Sequence, residues 1–264
     1  MGKYWHIFKF GIQTTLVYRV NFLARAVFGM IPLAAVLMLW KAIYKDDPIA
    51  GYSLDDMVCY YLIAMLVTAL TSVTDDDWQI ATDIRDGNVN QLLLKPMNYL
   101  GYRLSLFAAG RLVYLLAAAL PLLILFVSLR DYFRLPPDFL HAIAFVIAVM
   151  MAGLLQFLIS YCMALLAFWV LEVATFIFIL FAFETLASGS LFPLDLFPPI
   201  IRQILEASPF PYVLFFPVSI YLGRIDAQAI MTGIAIQAAW IFAATALAQW
   251  IWNRGIRRYA AAGG

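Results

Sequence analysis

The run from Phe139 to Leu171 contains no Asp, Glu, Lys or Arg, and it restricts the possible folds of the chain more than any other feature. A helix of about 20 apolar residues already crosses the hydrocarbon core of a bilayer, so this run is too long for one upright helix. We interpret it as two membrane spans joined by a tight turn that reaches the membrane surface near Phe168–Glu172. The run therefore predicts a polytopic membrane protein.

The composition of the whole chain supports this prediction. Its 264 residues are 65% hydrophobic and 12% charged, with a mean hydropathy of +0.89. Soluble domains carry about 25% charged residues, so this chain could not cover its surface as a soluble globule. A net charge of +1 without a basic run argues against nucleic acid as a partner. Cys59 and Cys162 fall inside apolar runs, where cysteine behaves as a small hydrophobic residue.

Six apolar runs are long enough to cross a membrane as helices. They cover residues 24–44, 57–74, 104–128, 139–166, 171–189 and 227–252. We therefore predict an all-α membrane protein with six transmembrane helices in a single transmembrane domain, residues 1–264. An even number of spans places both chain ends on the same side of the membrane.

Lys and Arg near the span ends predict which side this is, because cytoplasmic loops carry an excess of these residues. If both ends are inside, eleven basic residues are cytoplasmic, namely Lys3, Lys9, Arg19, Arg25, Arg85, Lys95, Arg103, Arg111, Arg254, Arg257 and Arg258. Six are then on the outer side, namely Lys41, Lys45, Arg130, Arg134, Arg202 and Arg224. This excess predicts that the N- and C-termini are cytoplasmic.

Residues 1–22 predict an amphipathic helix before the first span. Lys3, His6, Lys9 and Gln13 recur at helical spacing on one face. The opposite face is apolar and carries Tyr4, Ile7, Phe8 and Ile12. Such a helix lies in the membrane interface and contacts lipids.

Residues 190–225, before the last span, combine apolar character with helix-breaking residues. Six of the twelve prolines lie between Pro193 and Pro217. Proline interrupts helices, and irregular apolar backbone at membrane depth persists only where protein buries it or where it lines a cavity. We predict short, partly re-entrant helices on the outer side.

One polar insert, residues 75–103, separates the second and third spans and faces the cytoplasm in this topology. The carboxylates of Asp75–Asp77 favour a helix N-terminus. An apolar stripe at helical spacing follows, made of Trp78, Ile80, Ala81 and Ile84. Gly87 can end this helix in a left-handed conformation, and a second short helical turn ends before Pro96. The insert is either an ordinary interfacial loop or two short helices with a function of their own.

The same insert also allows a chemical interpretation. Asp83 and Asp86 form a DxxD pattern, and membrane prenyltransferases use aspartate-rich motifs to hold Mg²⁺ and a diphosphate. Those enzymes pair two such motifs on one membrane face. Apart from the triplet Asp75–Asp77 that precedes this motif, the remaining aspartates of the chain fall on the outer side in the predicted topology, so the second motif is missing.

The sequence carries no other catalytic pattern. It lacks HExxH, GxSxG and a glycine-rich phosphate loop, so we assign no catalytic residue and no metal site, and we expect no ATP site of that kind on this chain. Glu184 is an ionisable residue inside a span, and such residues are candidates for a transport pathway.

The segment IRDGNVNQLLLKPMNYL resembles a motif of type-2 ABC exporter permeases, in their six-span bacterial branch. The matching positions are Ile84, Arg85, Gly87, Leu92, Leu93, Leu94, Lys95 and Pro96. The amphipathic N-terminus, the tight turn between spans four and five and the proline-rich segment before the last span resemble the same family.

This resemblance implies a permease subunit in a bacterial inner membrane, without enzymatic activity of its own. In that family the loop between spans two and three carries a coupling helix that docks on a separate ATP-binding subunit. Two ATPase subunits would bind ATP and Mg²⁺, and a second permease subunit, identical or related, would complete the transporter. The resemblance implies a coupling role for Trp78, Ile84, Arg85, Asp86, Gly87, Leu92, Leu93, Lys95 and Pro96. The candidate pathway or gate residues are Glu184, Phe192, Pro193, Phe197 and Pro198.

Three functions therefore remain open from the sequence. The first is an export permease for an amphiphilic small molecule or lipid-like compound, in which the apolar stripe of the coupling helix enters a groove on the ATPase. The second is a membrane-embedded, Mg²⁺-dependent enzyme that acts on a diphosphate lipid. The third is a passive channel or an assembly subunit.

Overall fold

The computed structural model describes residues 2–17, 19–44, 48–73, 76–170 and 172–262. Within these ranges the chain is helical and forms no β-strand, which confirms the all-α class. The helices are α1 Gly2–Leu16, α2 Arg19–Ile43, α3 Leu54–Thr71, α4 Asp76–Arg85, α5 Val89–Leu93, α6 Tyr99–Ser128, α7 Phe139–Ala164, α8 Ala174–Ala187, α9 Pro199–Glu206, α10 Phe215–Tyr221 and α11 Ala227–Ala262. Met1, Tyr18 and Asp75 of the predicted helices lie outside the described residues.

Five of the described helices are long and apolar enough to cross a membrane. They are α2, α3, α6, α7 with the 3₁₀ turn Leu165–Phe168 that continues it, and α11. The first four and the last of the predicted spans thus correspond to helices. Several helices extend beyond the apolar runs, because a helix can continue into polar sequence where hydropathy no longer marks it.

The predicted fifth span, residues 171–189, corresponds to a shorter helix. Helix α8 has 14 residues, or about 21 Å, whereas the hydrocarbon core of a bilayer is about 30 Å thick. Gly189 follows its C-terminus with φ +86°, in the left-handed region that favours glycine. The six-span count is therefore not confirmed by helix length.

The directions of the helices bear on the same question. Gln237 of α11 donates to the backbone oxygen of Ala148 near the start of α7, and Gly255 near the end of α11 lies against Phe168 beyond the end of α7. Helices α7 and α11 therefore run parallel. The chain between them returns along the length of α7 through α8, α9 and α10.

Three further long helices complete the bundle. Trp40 near the end of α2 donates to the hydroxyl of Tyr61 in the first half of α3, and Ala26 near the start of α2 lies with Ala69 near the end of α3. These two helices are antiparallel. Helix α6 packs against both, and Ala118 belongs to the same buried cluster as Ala26.

Helix α1 packs lengthwise on the first turns of α6. The backbone nitrogen of Asn98 donates to the hydroxyl of Tyr4 over 3.2 Å. A Cβ atom added at Gly11 would lie 2.8 Å from the Cβ atom of Ala109, so glycine permits this close approach. The predicted N-terminal helix exists, and its apolar face contacts protein.

The bundle has two ends that carry different structures. We call one the α4 end, because it carries α4, α5 and the beginnings of α1 and α6. The last turns of α11 lie there too, since the rings of Tyr99 and Trp252 stack with centroids 4.8 Å apart. The opposite end, the α9 end, carries α9, α10 and the start of α11. The two ends of the described chain, Gly2 and Ala262, are therefore both at the α4 end.

Candidate functional site

Helix α4 is held in place by two isoleucines. Ile80 and Ile84 each expose 1% of their surface and belong to a buried cluster with residues of α6, α7 and α11. The helix packs on α7 and on the turn Leu165–Phe168. Burial of a side chain of this size stabilises a fold by about 1.5–3 kcal/mol, so α4 is firmly joined to the bundle.

This packing changes the expectation for part of the apolar stripe of α4. Ile80 and Ile84 are covered by the chain itself, so in this structure they do not lie at the surface where a partner would dock. The cause is the packing of α4 on α7 and on the turn Leu165–Phe168, a contact between distant parts of the chain that the sequence does not reveal. Trp78 is half-exposed, and Arg85 and Asp86 are exposed. The surface that α4 offers is therefore aromatic and charged rather than aliphatic.

The turn after α4 follows the predicted pattern. Gly87 has φ +83°, which suits glycine and ends the helix. Val89 at the start of α5 is fully buried, and Leu92 is partly buried. Leu94, Lys95 and Pro96 are exposed, and the side chain of Leu93 lies outside what the structure describes. We call residues 76–96 the coupling segment, after the role that the resemblance implies for them.

The DxxD aspartates do not face a common ligand. Asp83 lies 3.4 Å from Nη1 of Arg103, a buried arginine of α6, and accepts from the hydroxyl of Tyr99. Asp86 instead pairs with Nε of its neighbour Arg85 over 3.1 Å. No cluster of three potential metal-binding side chains occurs among the described residues. The geometry therefore gives the diphosphate-lipid enzyme no specific support.

The coupling segment is also joined to α1. The amino group of Lys3 donates to the backbone oxygen of Pro96, two residues before the Asn98 nitrogen that donates to Tyr4. Asn98 caps α6 by accepting from the backbone nitrogen of Gly101. The end of the coupling segment, the N-terminal helix and the first turn of α6 thus form one structural unit.

The candidate gate residues lie at and after the end of α8. Glu184 is half-buried in the last turn of α8. Phe192 contacts Trp40 of α2 edge-on, with ring centroids 6.3 Å apart. Pro193 is buried, Phe197 is partly buried and Pro198 is exposed immediately before α9. Their role as a pathway or gate stays a prediction.

A charged cluster at the α9 end is not evident from the sequence. Asp195 accepts from the hydroxyl of Tyr52 and from Nη1 of Arg202, each over 2.7 Å, and lies 3.5 Å from Nε of Arg224. The guanidinium of Arg224 also lies 3.6 Å from the ring centroid of Tyr52. We call Tyr52, Asp195, Arg202 and Arg224 the Asp195 cluster.

Burial and the neighbouring carboxylate stabilise the neutral form of Tyr52. Burial raises the pKa of Tyr52, and the charge of Asp195 raises it further. A hydrogen bond to Glu206, four residues away, raises the pKa of Arg202. Only this local Arg202–Glu206 pair could have been read from the sequence, since the other partners come from distant parts of the chain.

Two tyrosines of α3 hold the segment after α8. The hydroxyl of Tyr60 donates to the backbone oxygen of Gly189 over 2.7 Å, and that of Tyr61 donates to the backbone oxygen of Leu191 over 2.6 Å. Buried polar backbone requires such partners. The proline-rich segment is therefore fixed to α3 at its beginning and to the Asp195 cluster further on.

Comparison with known proteins gave one match. A family model described as ABC-2 family transporter protein matches residues 30–263, which is most of the chain. Neither the curated proteins nor the solved structures include a significant match.

Proposed function

The chain belongs to the ABC-2 family of transporter proteins, as the membrane permease subunit of an ABC transporter, and we propose that it works as an exporter. Its substrate is an amphiphilic small molecule or lipid-like compound, which leaves the cytoplasm or the inner leaflet. Energy comes from two copies of a separate ATP-binding subunit that hold ATP and Mg²⁺. A second permease, identical or related, completes the transporter in the bacterial inner membrane.

The observation that carries this proposal is the packing of the coupling segment. Its inner face is joined to α7 through Ile80 and Ile84, while Trp78, Arg85 and Leu94 remain at the surface. A short helix that is firm on one side and exposed on the other can transmit the movement of a bound ATPase to the spans. Exposed charges on such a surface determine the register of docking.

We propose six membrane crossings, with α8 and the segment after it forming the fifth. The parallel directions of α7 and α11 support this topology, because the chain must return between them. Both termini and the coupling segment then face the cytoplasm, which agrees with the excess of Lys and Arg on that side. The Asp195 cluster lies on the outer side.

Replacing Leu94 with Glu tests the coupling role. Leu94 exposes 88% of its surface, so the change leaves the bundle intact but places a charge where the ATPase docks. Leu135, 78% exposed in the loop before α7, is the matched control. We expect Leu94→Glu to lower substrate-stimulated ATPase turnover of the co-purified complex at least about tenfold, the scale of losing 1.4 kcal/mol at an interface. Leu135→Glu should leave turnover unchanged.

Equal turnover in the two variants, at equal amounts of folded permease, would refute the coupling role. Export and import are distinguished by a second measurement on the same complex. In inside-out vesicles an exporter accumulates substrate on addition of ATP, whereas an importer does so only in right-side-out vesicles loaded with ATP.

A further inference from the structure

A cavity of about 410 Å³ lies between the helices of the proline-rich segment and the start of α11. Its volume falls in the range of small-molecule sites, which is about 300–1,000 Å³. Tyr212, Phe215 and Phe216 form an aromatic wall, and Ile236 of α11 is a further apolar lining residue. The three aromatic residues are buried, so the wall is rigid.

Carboxylates stand at the polar side of this cavity. Glu206 and Asp226 both line it, together with Arg202. The positive charge of Arg202 is already offset, because its guanidinium contacts Asp195 and Glu206 over 2.7 Å each. The arrangement therefore leaves an excess of negative charge around the cavity.

Two helix ends lie near the cavity and affect its potential differently. Asp226 accepts from the backbone nitrogen of Ala229, so one of its oxygens compensates the partial positive charge at the N-terminus of α11. Glu206 is the last residue of α9, where the partial charge of the helix is negative. The C-terminal end of α9 thus adds to the negative potential of the carboxylates.

We propose that this cavity binds a hydrophobic organic cation, such as a quaternary ammonium or a protonated amine with an apolar body. The aromatic wall accommodates the apolar groups and attracts the cation through the faces of the rings. Asp226 provides the opposite charge, since Glu206 is already paired with Arg202. The site is separate from the coupling segment and does not depend on an ATPase, so it can be tested on the purified permease alone.

The test measures binding of radiolabelled tetraphenylphosphonium, a hydrophobic cation, to the full chain in lipid nanodiscs. Asp226→Asn removes the charge but keeps the helix cap, because Asn caps helices as well as Asp does. We expect the affinity to fall about fivefold to tenfold, the scale of one cation–π or ion-pair contact. Asp131→Asn is the control, because it removes the same charge from the same end of the bundle. Asp131 is 87% exposed and lies near the start of the loop before α7.

A second variant tests the space rather than the charge. Ile236→Trp should fill the cavity and abolish binding, while Ile143→Trp, on an exposed part of α7 outside the cavity, should not. Three results would each overturn the proposal. They are unchanged affinity in Asp226→Asn, binding no greater than in nanodiscs without protein, and equal displacement of the probe by neutral triphenylphosphine oxide.

Discussion

At the scale of single residues, Asp195 joins three side chains from separate parts of the chain at the α9 end. Its carboxylate accepts a hydrogen bond from the hydroxyl of Tyr52, in the loop before α3. It also pairs with the guanidinium groups of Arg202 and Arg224. Arg224 strengthens this link by donating to the backbone oxygens of Ala50 and Gly51. The cluster therefore joins the loop before α3 to the residues that immediately precede α11.

We expect Asp195→Asn to lower the thermal stability of the purified chain. The change removes the charge that two arginines share, and hydrogen bonds to charged groups contribute about 1.5–3 kcal/mol each when partly buried. Tyr52→Phe removes one hydroxyl and should cost less. The measurement is the unfolding midpoint in detergent, with Asp131→Asn as the exposed control. A midpoint equal to that of the control would contradict a stabilising role for the cluster.

Ile84 illustrates why residue roles were harder to predict than residue positions. Periodicity correctly placed it on the apolar face of a helix, but periodicity does not say what covers that face. Ile84→Asp would introduce an unpartnered charge into a buried cluster, at a cost that unfolds the region rather than weakening a contact. Leu94, which the same motif contains, is the informative position.

At the scale of elements, the sequence predicted helix boundaries best where a glycine or a proline marks them. Helix α4 ends just before Gly87 and helix α5 ends before Pro96, as these two residues predict. Helix α8 is shorter than predicted because Gly189 and the nonhelical residues before Ala174 interrupt an apolar run that hydropathy treats as continuous. The Asp195 cluster could not be predicted, since Tyr52 and Asp195 are 143 residues apart.

The contact between α1 and α6 gives a prediction at this scale. Gly11→Val should separate the two helices, because a side chain there overlaps Ala109 and Leu106. Gly29→Val in α2 is the matched control, since no atom lies within 4 Å of an added Cβ there. We expect cross-linking of cysteines at positions 4 and 101 by a short bifunctional maleimide, in a Cys59→Ala, Cys162→Ala background, to fall only in the first variant. Equal cross-linking in both would contradict the packing.

At the scale of the whole molecule, the parallel α7 and α11 determine how the chain ends are arranged. Hydropathy predicted two spans where the structure has one long helix and one short one. The six-crossing proposal therefore requires that α8 and the segment after it together form the fifth crossing. Composition alone predicted a membrane protein, but the relative directions of its helices follow only from long-range contacts.

Labelling of single cysteines in intact cells tests the six-crossing topology. Positions 86 and 258 should react with a membrane-impermeant maleimide only after permeabilisation, because both lie at the α4 end. Positions 134 and 203 should react without it, since they lie at the α9 end. Labelling of position 258 in intact cells, with position 86 protected, would show that α8 and its following segment do not cross.

The hydrogen bonds from Lys3 to Pro96 and from Asn98 to Tyr4 have a practical consequence. They tie the start of α1 to the end of the coupling segment, although α1 lies outside that segment. Under the coupling role proposed above, we expect a fluorophore attached at Gly2 to report nucleotide-driven movement of the segment. Because Gly2 has no neighbouring atom within 4 Å of an added Cβ, such a reporter would leave the moving parts chemically unchanged.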